Sequence, residues 1–276
     1  MSDSNQAQID LWNGRVGEKF VALQASLDLM FAHASAALQA RVGPVAGQRV
    51  LDVGCGTGAT CTLWLADGAQ VTGLDVSAPM LAVAAEQMGG RAKWVQADAS
   101  VWQSETPFDL AVSQFGLMFF ADPDRAFANI AANLRTGGRL VFSCWREEAH
   151  NQWVTLPMDA VRELLPTTSP LTTTAPGPFA LADRERLAGI LARAGFTQLV
   201  FTALDFPLCL TRDGGVEAAV RLILQIGPSA SALAETSKAV RVTAAERLRL
   251  AFAAHDKDGS VALGGAIWLV EAIKAG

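Results

Sequence analysis

The segment VLDVGCGTGAT, residues 50–60, limits the folds open to this chain more than any other stretch. It places three glycines two residues apart directly behind an apolar run. A glycine-rich turn between a buried strand and a helix lets a ligand approach the main chain, because no Cβ stands in the way. The same turn points the first N–H groups of the helix at that ligand. The pattern does not choose the ligand, since the looser dinucleotide pattern GxGxxA is also satisfied by Gly54, Gly56 and Ala59.

Strand-like and helical patterns alternate from residue 49 to residue 145, which is typical of βαβ units and a mainly parallel sheet. Five apolar runs predict the strands, namely 49–53, 70–75, 93–97, 108–113 and 139–145. One helix is predicted to begin at Ser77 and Pro79 and to end at Gly89-Gly90. Another is predicted from Asp122-Pro123 to Gly137-Gly138. We therefore expect an α/β fold with a doubly wound sheet.

The flanking segments predict additions to this sheet. An amphipathic stretch over residues 20–38 predicts a helix docked on an apolar surface. Helices are predicted at 153–165 and 183–194, strands at 198–206 and 260–272, an exposed loop at 166–179, and helices stacked as a cap at 211–257. Gly264 and Gly265 predict a bulge in the last strand.

Composition and charge argue against several classes of protein. No segment of the 276 residues reaches the eighteen or so unbroken apolar residues of a membrane span. The net charge of −5 offers no electrostatic footprint for nucleic acid, so a small-molecule partner is expected. The polar, acidic start MSDSNQAQID differs from a secretory signal and predicts a cytoplasmic protein. The four cysteines form no CxxC pair, so neither metal nor disulfide is expected.

Three acidic residues near predicted strand ends favour one class of ligand. Asp52 should lie at the mouth of the glycine turn, where it would repel a diphosphate and attract the cationic groups of S-adenosylmethionine. Asp75 lies 21 residues beyond Gly54, where a carboxylate can accept both ribose hydroxyls, as NAD enzymes also do. Asp98 follows the third strand and can accept a hydrogen bond from an adenine amino group.

Five segments resemble the class I S-adenosylmethionine-dependent methyltransferases, in the small-molecule branch related to quinone-biosynthesis enzymes. They are VLDVGCGTGAT, VTGLDVSAPML (71–81), WVQADAS (94–100), FDLAVSQFGLMFFADP (108–123) and LRTGGRLVFSCW (134–145). The resemblance implies a Rossmann-like sheet of seven strands in the order 3-2-1-4-5-7-6, with the last strand antiparallel. It also implies one methyltransferase domain over 1–276, with N-terminal lid helices in 1–45, a cofactor-binding core in 46–146, and a C-terminal half in 147–276 that contains the cap.

Carried over to this sequence, the resemblance implies a binding site for S-adenosylmethionine. The implied contacts are Gly54, Gly56 and Gly58 for the methionine part, Asp75 for the ribose, Val76 and Met80 for the adenine ring, Asp98 with Ala99 for its amino group, and Ser113 to Phe115 for the methyl group. Residues 113–116 read SQFG instead of the Asn/Asp-Pro-Pro-aromatic motif of enzymes that methylate amino groups of adenine or glutamine. The resemblance therefore argues against that class of enzyme. Trp12 is expected either to cover the cofactor near its sulfonium or to act as a hydrophobic staple.

Methyl transfer from a sulfonium is an in-line displacement, so the protein contributes mainly positioning and desolvation. Where the acceptor is a hydroxyl, a base assists, and His150 is the first candidate because it follows the fifth strand, with a plain surface histidine as the alternative. Asp28 and His33 are expected on the solvated side of the N-terminal helix or in satisfied hydrogen bonds. The sequence thus favours O- or N-methylation of a small, rather apolar molecule. An NAD(P)-dependent oxidoreductase and a non-enzymatic S-adenosylmethionine-binding protein are the alternatives.

Overall fold

The computed structural model describes residues 5–165 and 175–276. Within them, one sheet holds the strands β1 (Arg49–Val53), β2 (Gln70–Asp75), β3 (Lys93–Gln96), β4 (Phe108–Gln114), β5 (Leu134–Trp145), β6 (Phe196–Thr211), β7 (Asp256–Lys257) and β8 (Ser260–Lys274). The strand order is β3-β2-β1-β4-β5-β8-β6, and the two-residue β7 pairs with β8. The first five strands run parallel, and β8 is antiparallel to both β5 and β6. Apart from the short β7, this confirms the expected fold class and strand order.

Helices cover the sheet and extend over one end of it. They are α1 (Gln6–Asn13), α2 (Arg15–Ala22), α3 (Gln24–Val42), α4 (Ala59–Ala66), α5 (Ala78–Met88), α6 (Pro123–Ala132), α7 (Gln152–Val161), α8 (Arg184–Arg193), α9 (Gly215–Ile223), α10 (Gly227–Leu233) and α11 (Lys238–Ala253). The side chains of Asp122, Asp183 and Ser237 accept hydrogen bonds from the first-turn N–H groups of α6, α8 and α11. These caps explain why α6 and α8 begin where the sequence predicts, and the Ser237 cap sets the start of α11, which the sequence did not predict.

Two glycine pairs act differently from the sequence-based expectation. The helix α6 ends at Ala132, and Gly137-Gly138 lie inside the irregular start of β5, so this pair does not end the helix. The predicted bulge at Gly264 and Gly265 is wrong, because these residues pair in register with β6. A Cβ on Gly265 would lie 3.2 Å from the Phe206 ring, so this glycine makes room for an aromatic side chain on the neighbouring strand.

The N-terminal region is bent, where the sequence predicts one helix over residues 20–38. The axes of α2 and α3 differ by 79° across the break at Leu23. The helix α3 buries Leu27, Met30, Ala34, Leu38 and Val42 against the sheet. In the described part of the chain, no single helix is long and apolar enough to cross a membrane. The bent pair of α2 and α3 meets these two criteria only when its helices are counted together.

The C-terminal half carries the predicted helical insertion. The helix α9 packs against β6 and β8, and α10 and α11 pack against α7. Residues 166–174 of the predicted exposed loop lie outside the described residues. Its last residues are described, and they run from an exposed Ala175 to a buried Phe179. The insertion therefore contacts the sheet directly through α9 and rests on α7 through α10 and α11. It reaches the carboxyl end of the parallel strands at Ile226 and Gly227.

Candidate active site

A cavity of about 290 Å³ opens at the carboxyl end of the parallel strands. Its walls come from the glycine loop, the ends of β2, β4 and β5, the N-terminal helices and the Ile226-Gly227 turn. The predicted site residues that line it are Trp12, Gly54, Gly56, Asp75, Val76, Met80, Ala99 and Phe115. The topology therefore brings most of the predicted cofactor contacts together, as expected for strand ends at one sheet edge.

The glycine loop presents bare backbone to this cavity. Gly54 and Gly56 have φ of +68° and +55°, a region that favours glycine. A Cβ on Gly54 would lie 2.8 Å from the Cα of Gly116, so the loop and the end of β4 can approach only without side chains. Gly58 lies behind the loop, where a Cβ would meet the Met88 methyl group, and it is outside the cavity lining.

Asp75 is fixed at the end of β2 by two backbone groups. Its Oδ2 accepts from the Gly56 N–H at 2.8 Å, and its Oδ1 accepts from the Ser77 N–H at 2.8 Å. Burial raises the pKa of this carboxyl, and the N–H groups of Ser77, Gly56 and Val76 oppose that shift. Each oxygen keeps acceptor capacity toward the cavity, so the carboxylate is positioned to accept a pair of hydroxyl groups.

Hydrogen bonds connect α1 to the residues that follow Asp75. The Ser77 hydroxyl donates to the Trp12 carbonyl at 2.8 Å, and the Asn13 amide donates to the Val76 carbonyl at 2.8 Å. The Asn13 Oδ1 accepts from the Ala78 N–H at 3.0 Å. Sequence reasoning missed Asn13, because a polar residue at a helix end carries no signal that separates it from a solvated one. These bonds hold α1 over the cavity edge.

The Trp12 ring meets other aromatic rings at this edge. Its centroid lies 5.1 Å from those of Phe20 and Phe119, and both contacts are edge-on. Trp12 therefore packs between aromatic side chains and also lines the cavity. Because it lies inside α1, it is not at the position of a hydrophobic staple, and its contact with the cofactor remains a prediction.

Asp52 does not lie at the cavity mouth, which corrects the expectation for this residue. It is fully buried, and its Oδ2 accepts from Thr60 Oγ1 at 2.6 Å, Trp64 Nε1 at 3.1 Å and Cys61 Sγ at 3.5 Å. Among the described residues, its Oδ1 has no hydrogen-bond partner. Burial raises the pKa of the carboxyl to about 6, against the lowering effect of these hydrogen bonds. Asp52 therefore joins β1 to α4 behind the glycine loop.

Three further predicted contacts also lie outside the cavity lining. Asp98 accepts from the Ser100 N–H at 2.8 Å and caps a turn, while its neighbours Ala97 and Ala99 line the cavity. Ser113 is buried and donates to the Val53 carbonyl at 2.7 Å, so it ties β4 to β1. His150 is exposed in the short 3-10 helix Glu148–His150, away from the lining. Its place therefore argues against a role as the base.

Aromatic side chains build the other half of the cavity. Phe115 has φ of +61°, a strained conformation for a bulky residue that is found mainly at functional sites. Its ring stacks on Trp145 at 4.5 Å between centroids and meets Phe31 at 5.0 Å. Trp145 in turn packs on Trp153 at 4.9 Å. This wall is suited to a flat apolar ligand.

Asn151, which the sequence did not single out, supports that wall. It is fully buried, its Oδ1 accepts from Trp153 Nε1 at 3.1 Å and the Ala266 N–H at 2.9 Å, and its Nδ2 donates to the carbonyls of Arg146 and Glu147. We expect Asn151→Ala to lower the free energy of unfolding by about 2 kcal/mol, because buried partners lose their hydrogen bonds. Urea unfolding measures this loss. Gln39→Ala on the exposed face of α3 is the control, and an equal unfolding midpoint for both variants would contradict the expectation.

The described cysteine and acidic side chains are not grouped as metal ligands. All four cysteines are free thiols. In residues 5–165 and 175–276, no three His, Cys, Asp or Glu side chains are grouped so that they can hold a metal ion.

The fold and the glycine loop resemble those of a known class of protein. A doubly wound sheet in this strand order, with a glycine loop after β1 and a carboxylate at the end of β2, is the architecture of class I methyltransferases. Residues 50–138 match the family profile described as a methyltransferase domain. The chain therefore contains a methyltransferase domain over these residues.

Among curated proteins, the chain is similar to a demethylmenaquinone methyltransferase of Clavibacter sepedonicus, with 36% identity over 103 residues. The match covers 36% of this chain and 42% of that protein. The chain spans about half the length of the first curated relatives it matches. The similarity therefore supports the shared domain more than any activity of a whole relative.

Two solved structures share the fold. Phosphoethanolamine N-methyltransferase 2 of Haemonchus contortus, in complex with phosphomonomethylethanolamine and S-adenosylhomocysteine, aligns with a TM-score of 0.54 and 18% identity, over 91% of this chain and 56% of that one. The [4+2]-cyclase SpnF aligns with a TM-score of 0.53 and 21% identity, over 95% and 96%. Because one of these is described as a cyclase, the shared fold does not by itself define the reaction.

Proposed function

We propose that this protein transfers the methyl group of S-adenosylmethionine to oxygen or nitrogen of a small, rather apolar molecule. The observation that carries the proposal is the combination in one cavity of bare backbone at Gly54 and Gly56, a fixed carboxylate at Asp75 and an aromatic wall. The cofactor, when bound, supplies an already activated methyl group on a sulfonium.

The residues present fit this cofactor. Asp75 accepts the two ribose hydroxyls, and Val76, Met80 and Ala99 provide the apolar surface for the adenine ring. The Cβ-free cradle of the glycine loop receives the methionine part, where a Cβ on Gly56 would meet the Met80 methyl group at 2.7 Å. Ala59 opens the first turn of α4, whose N–H groups favour the carboxylate of the amino acid part.

The aromatic residues exclude water and orient the acceptor. Phe31, Phe115 and Trp145 form a continuous surface beside the end of β4. Gln114 adds a polar group there, and its Oε1 accepts from the Ser35 hydroxyl at 2.9 Å. Polar groups on an otherwise apolar wall support an acceptor that reacts through oxygen or nitrogen.

Two titrations test this proposal against its alternatives. In isothermal titration calorimetry, we expect S-adenosylhomocysteine to bind and NADH to give no heat of binding. The reverse result would reject the methyltransferase and favour the oxidoreductase. Transfer of labelled methyl groups to a panel of phenols, amines and carboxylic acids then separates an enzyme from a non-enzymatic binder. Cofactor binding without transfer to any acceptor would favour the binder.

A further inference from the structure

The charges around the cavity are of one sign. The described lining contains two carboxylates, Asp28 and Asp75, and no Lys, Arg or His side chain. Residues 1–4 and 166–174, which the structure does not describe, contain no Lys, Arg or His in the sequence either. An anionic ligand would therefore enter a region of negative potential without any basic side chain to pair with it.

One carboxylate has no assigned role in cofactor binding. Asp28 lies on the face of α3 that lines the cavity, together with Gln24, Leu27, Phe31 and Ser35, whose spacing of three and four residues puts them on one side of the helix. It thus precedes the aromatic wall residue Phe31 by one helical turn. The sequence-based expectation placed Asp28 on the solvated side or in a satisfied hydrogen bond, and the structure shows an exposed residue with a hydrogen bond from Gln24 that also lines the cavity.

The surroundings of Asp28 favour a ligand that donates a hydrogen bond. Desolvation raises the pKa of the Asp28 carboxyl, and a hydrogen bond from Gln24 opposes this shift. On α1, Gln8 also lines the cavity, and its Oε1 is buried with no hydrogen-bond partner in the described residues. An acceptor atom left in this state is costly until a donor reaches it.

We propose that the methyl acceptor is an aromatic molecule without negative charge, and that its O–H or N–H group donates a hydrogen bond to Asp28. This inference rests on the proposed function and specifies its substrate class. The aromatic rings pack against Phe31, Phe115 and Trp145, and the protic group faces the carboxylate on the neighbouring turn of α3. Carboxylates and phosphorylated acceptors are disfavoured, because the described lining has no basic side chain to pair with their charge.

The same carboxylate accounts for the proton in the reaction. The acceptor oxygen or nitrogen forms a bond to the methyl carbon as the carbon–sulfur bond breaks, and the electron pair of that bond stays on sulfur as a neutral thioether. Asp28 takes the proton that the acceptor loses. Because Asp28 is exposed at the rim, water can then remove this proton.

Matched ligands of one skeleton test the charge rule. We would titrate 2-naphthol, 2-naphthylamine and 2-naphthoate by calorimetry near neutral pH into protein saturated with S-adenosylhomocysteine. The first two should bind at least about tenfold more tightly than the anion. Asp28→Asn should weaken 2-naphthol about fivefold and leave 2-naphthoate equal or tighter, since a charged acceptor is replaced by a neutral amide. Glu18→Gln, which removes an exposed charge from α2, is the matched control.

The outcomes separate this inference from the proposed function. The titration with S-adenosylhomocysteine is done first, and failure there rejects the proposed function itself. Equal or tighter binding of 2-naphthoate to the wild type would overturn the charge rule, and no binding by any of the three ligands would overturn the aromatic acceptor. A tenfold loss of S-adenosylhomocysteine affinity in Asp28→Asn would assign Asp28 to the cofactor and overturn its role toward the acceptor.

Discussion

Asp75→Ala should lower the affinity for S-adenosylhomocysteine by about 100-fold. Two ribose hydroxyls lose a charged acceptor, and each such hydrogen bond contributes about 1.5 kcal/mol or more, so the sum corresponds to about two orders of magnitude in the dissociation constant. The N–H groups of Gly56 and Ser77 lose the same acceptor, which loosens the loop that forms the cradle. Calorimetry measures the affinity, and circular dichroism with a thermal melt shows whether the variant remains folded.

Asp109→Asn is the matched control for this variant. Its carboxylate also accepts from a backbone N–H, that of Arg49 at 2.9 Å, but it lies at the opposite end of the sheet beside Arg135. This change should alter stability and leave the affinity for S-adenosylhomocysteine unchanged. If Asp75→Ala retained an affinity within about threefold of the wild type, the assignment of the ribose to Asp75 would be wrong.

The stability of Asp52→Asn relative to the wild type should increase as pH rises. The pKa of Asp52 is about 6 in the folded protein and 3.8 in the reference state, so between these values the folded protein retains a proton that the unfolded chain has released. This proton stabilises the folded protein fully at pH values below 3.8, and the stabilisation is lost as pH rises to about 6. The total loss is about 3 kcal/mol. Asparagine does not titrate and is free of this loss.

Urea unfolding of both proteins across a pH series measures this effect. Between about pH 4.5 and pH 7.5, the difference in unfolding free energy should move by about 2 kcal/mol in favour of Asp52→Asn. Asp75 is common to both proteins, so its own titration largely cancels in the difference. Asp109→Asn supplies a control of opposite sign. A hydrogen bond from Arg135 lowers the pKa of Asp109, so the stability that the Asp109 carboxylate contributes is lost as pH falls. A pH-independent difference for Asp52→Asn would contradict the expectation.

Parallel strands and the glycine loop were predictable because their signals are local. Each buried strand is a short apolar run, and its direction follows from the helix that must connect it to the next strand. The positions of Gly54, Gly56 and Asp75 follow directly, since a residue at the end of a parallel strand must lie at the ligand edge of the sheet. The order of the last strands and the methyltransferase domain matched over residues 50–138 also agree with the resemblance that these segments carry.

Side-chain direction was not predictable in the same way. Asp52 and Asp75 both lie near strand ends, yet Asp52 points to α4 and Asp75 to the cavity, because side chains alternate between the faces of a strand and packing decides which face a ligand reaches. Asp98 turned inward to cap its own loop, which is a local hydrogen bond that competes with any ligand. The exposed position of His150 follows from the turn after β5.

By itself, the sequence determined the α/β class and the edge of the sheet at which the glycine loop lies, and its resemblance to methyltransferases implied the strand order. Only the tertiary structure decided which groups face that edge. Asn13 and Asn151 bind partners distant in the chain, among them the Val76 carbonyl and the Ala266 N–H, and the fold places Asp28 in the cavity lining. A hydrophobic pattern is set by the nearest few residues, whereas a polar side chain acquires its function from whatever the fold brings within hydrogen-bond distance.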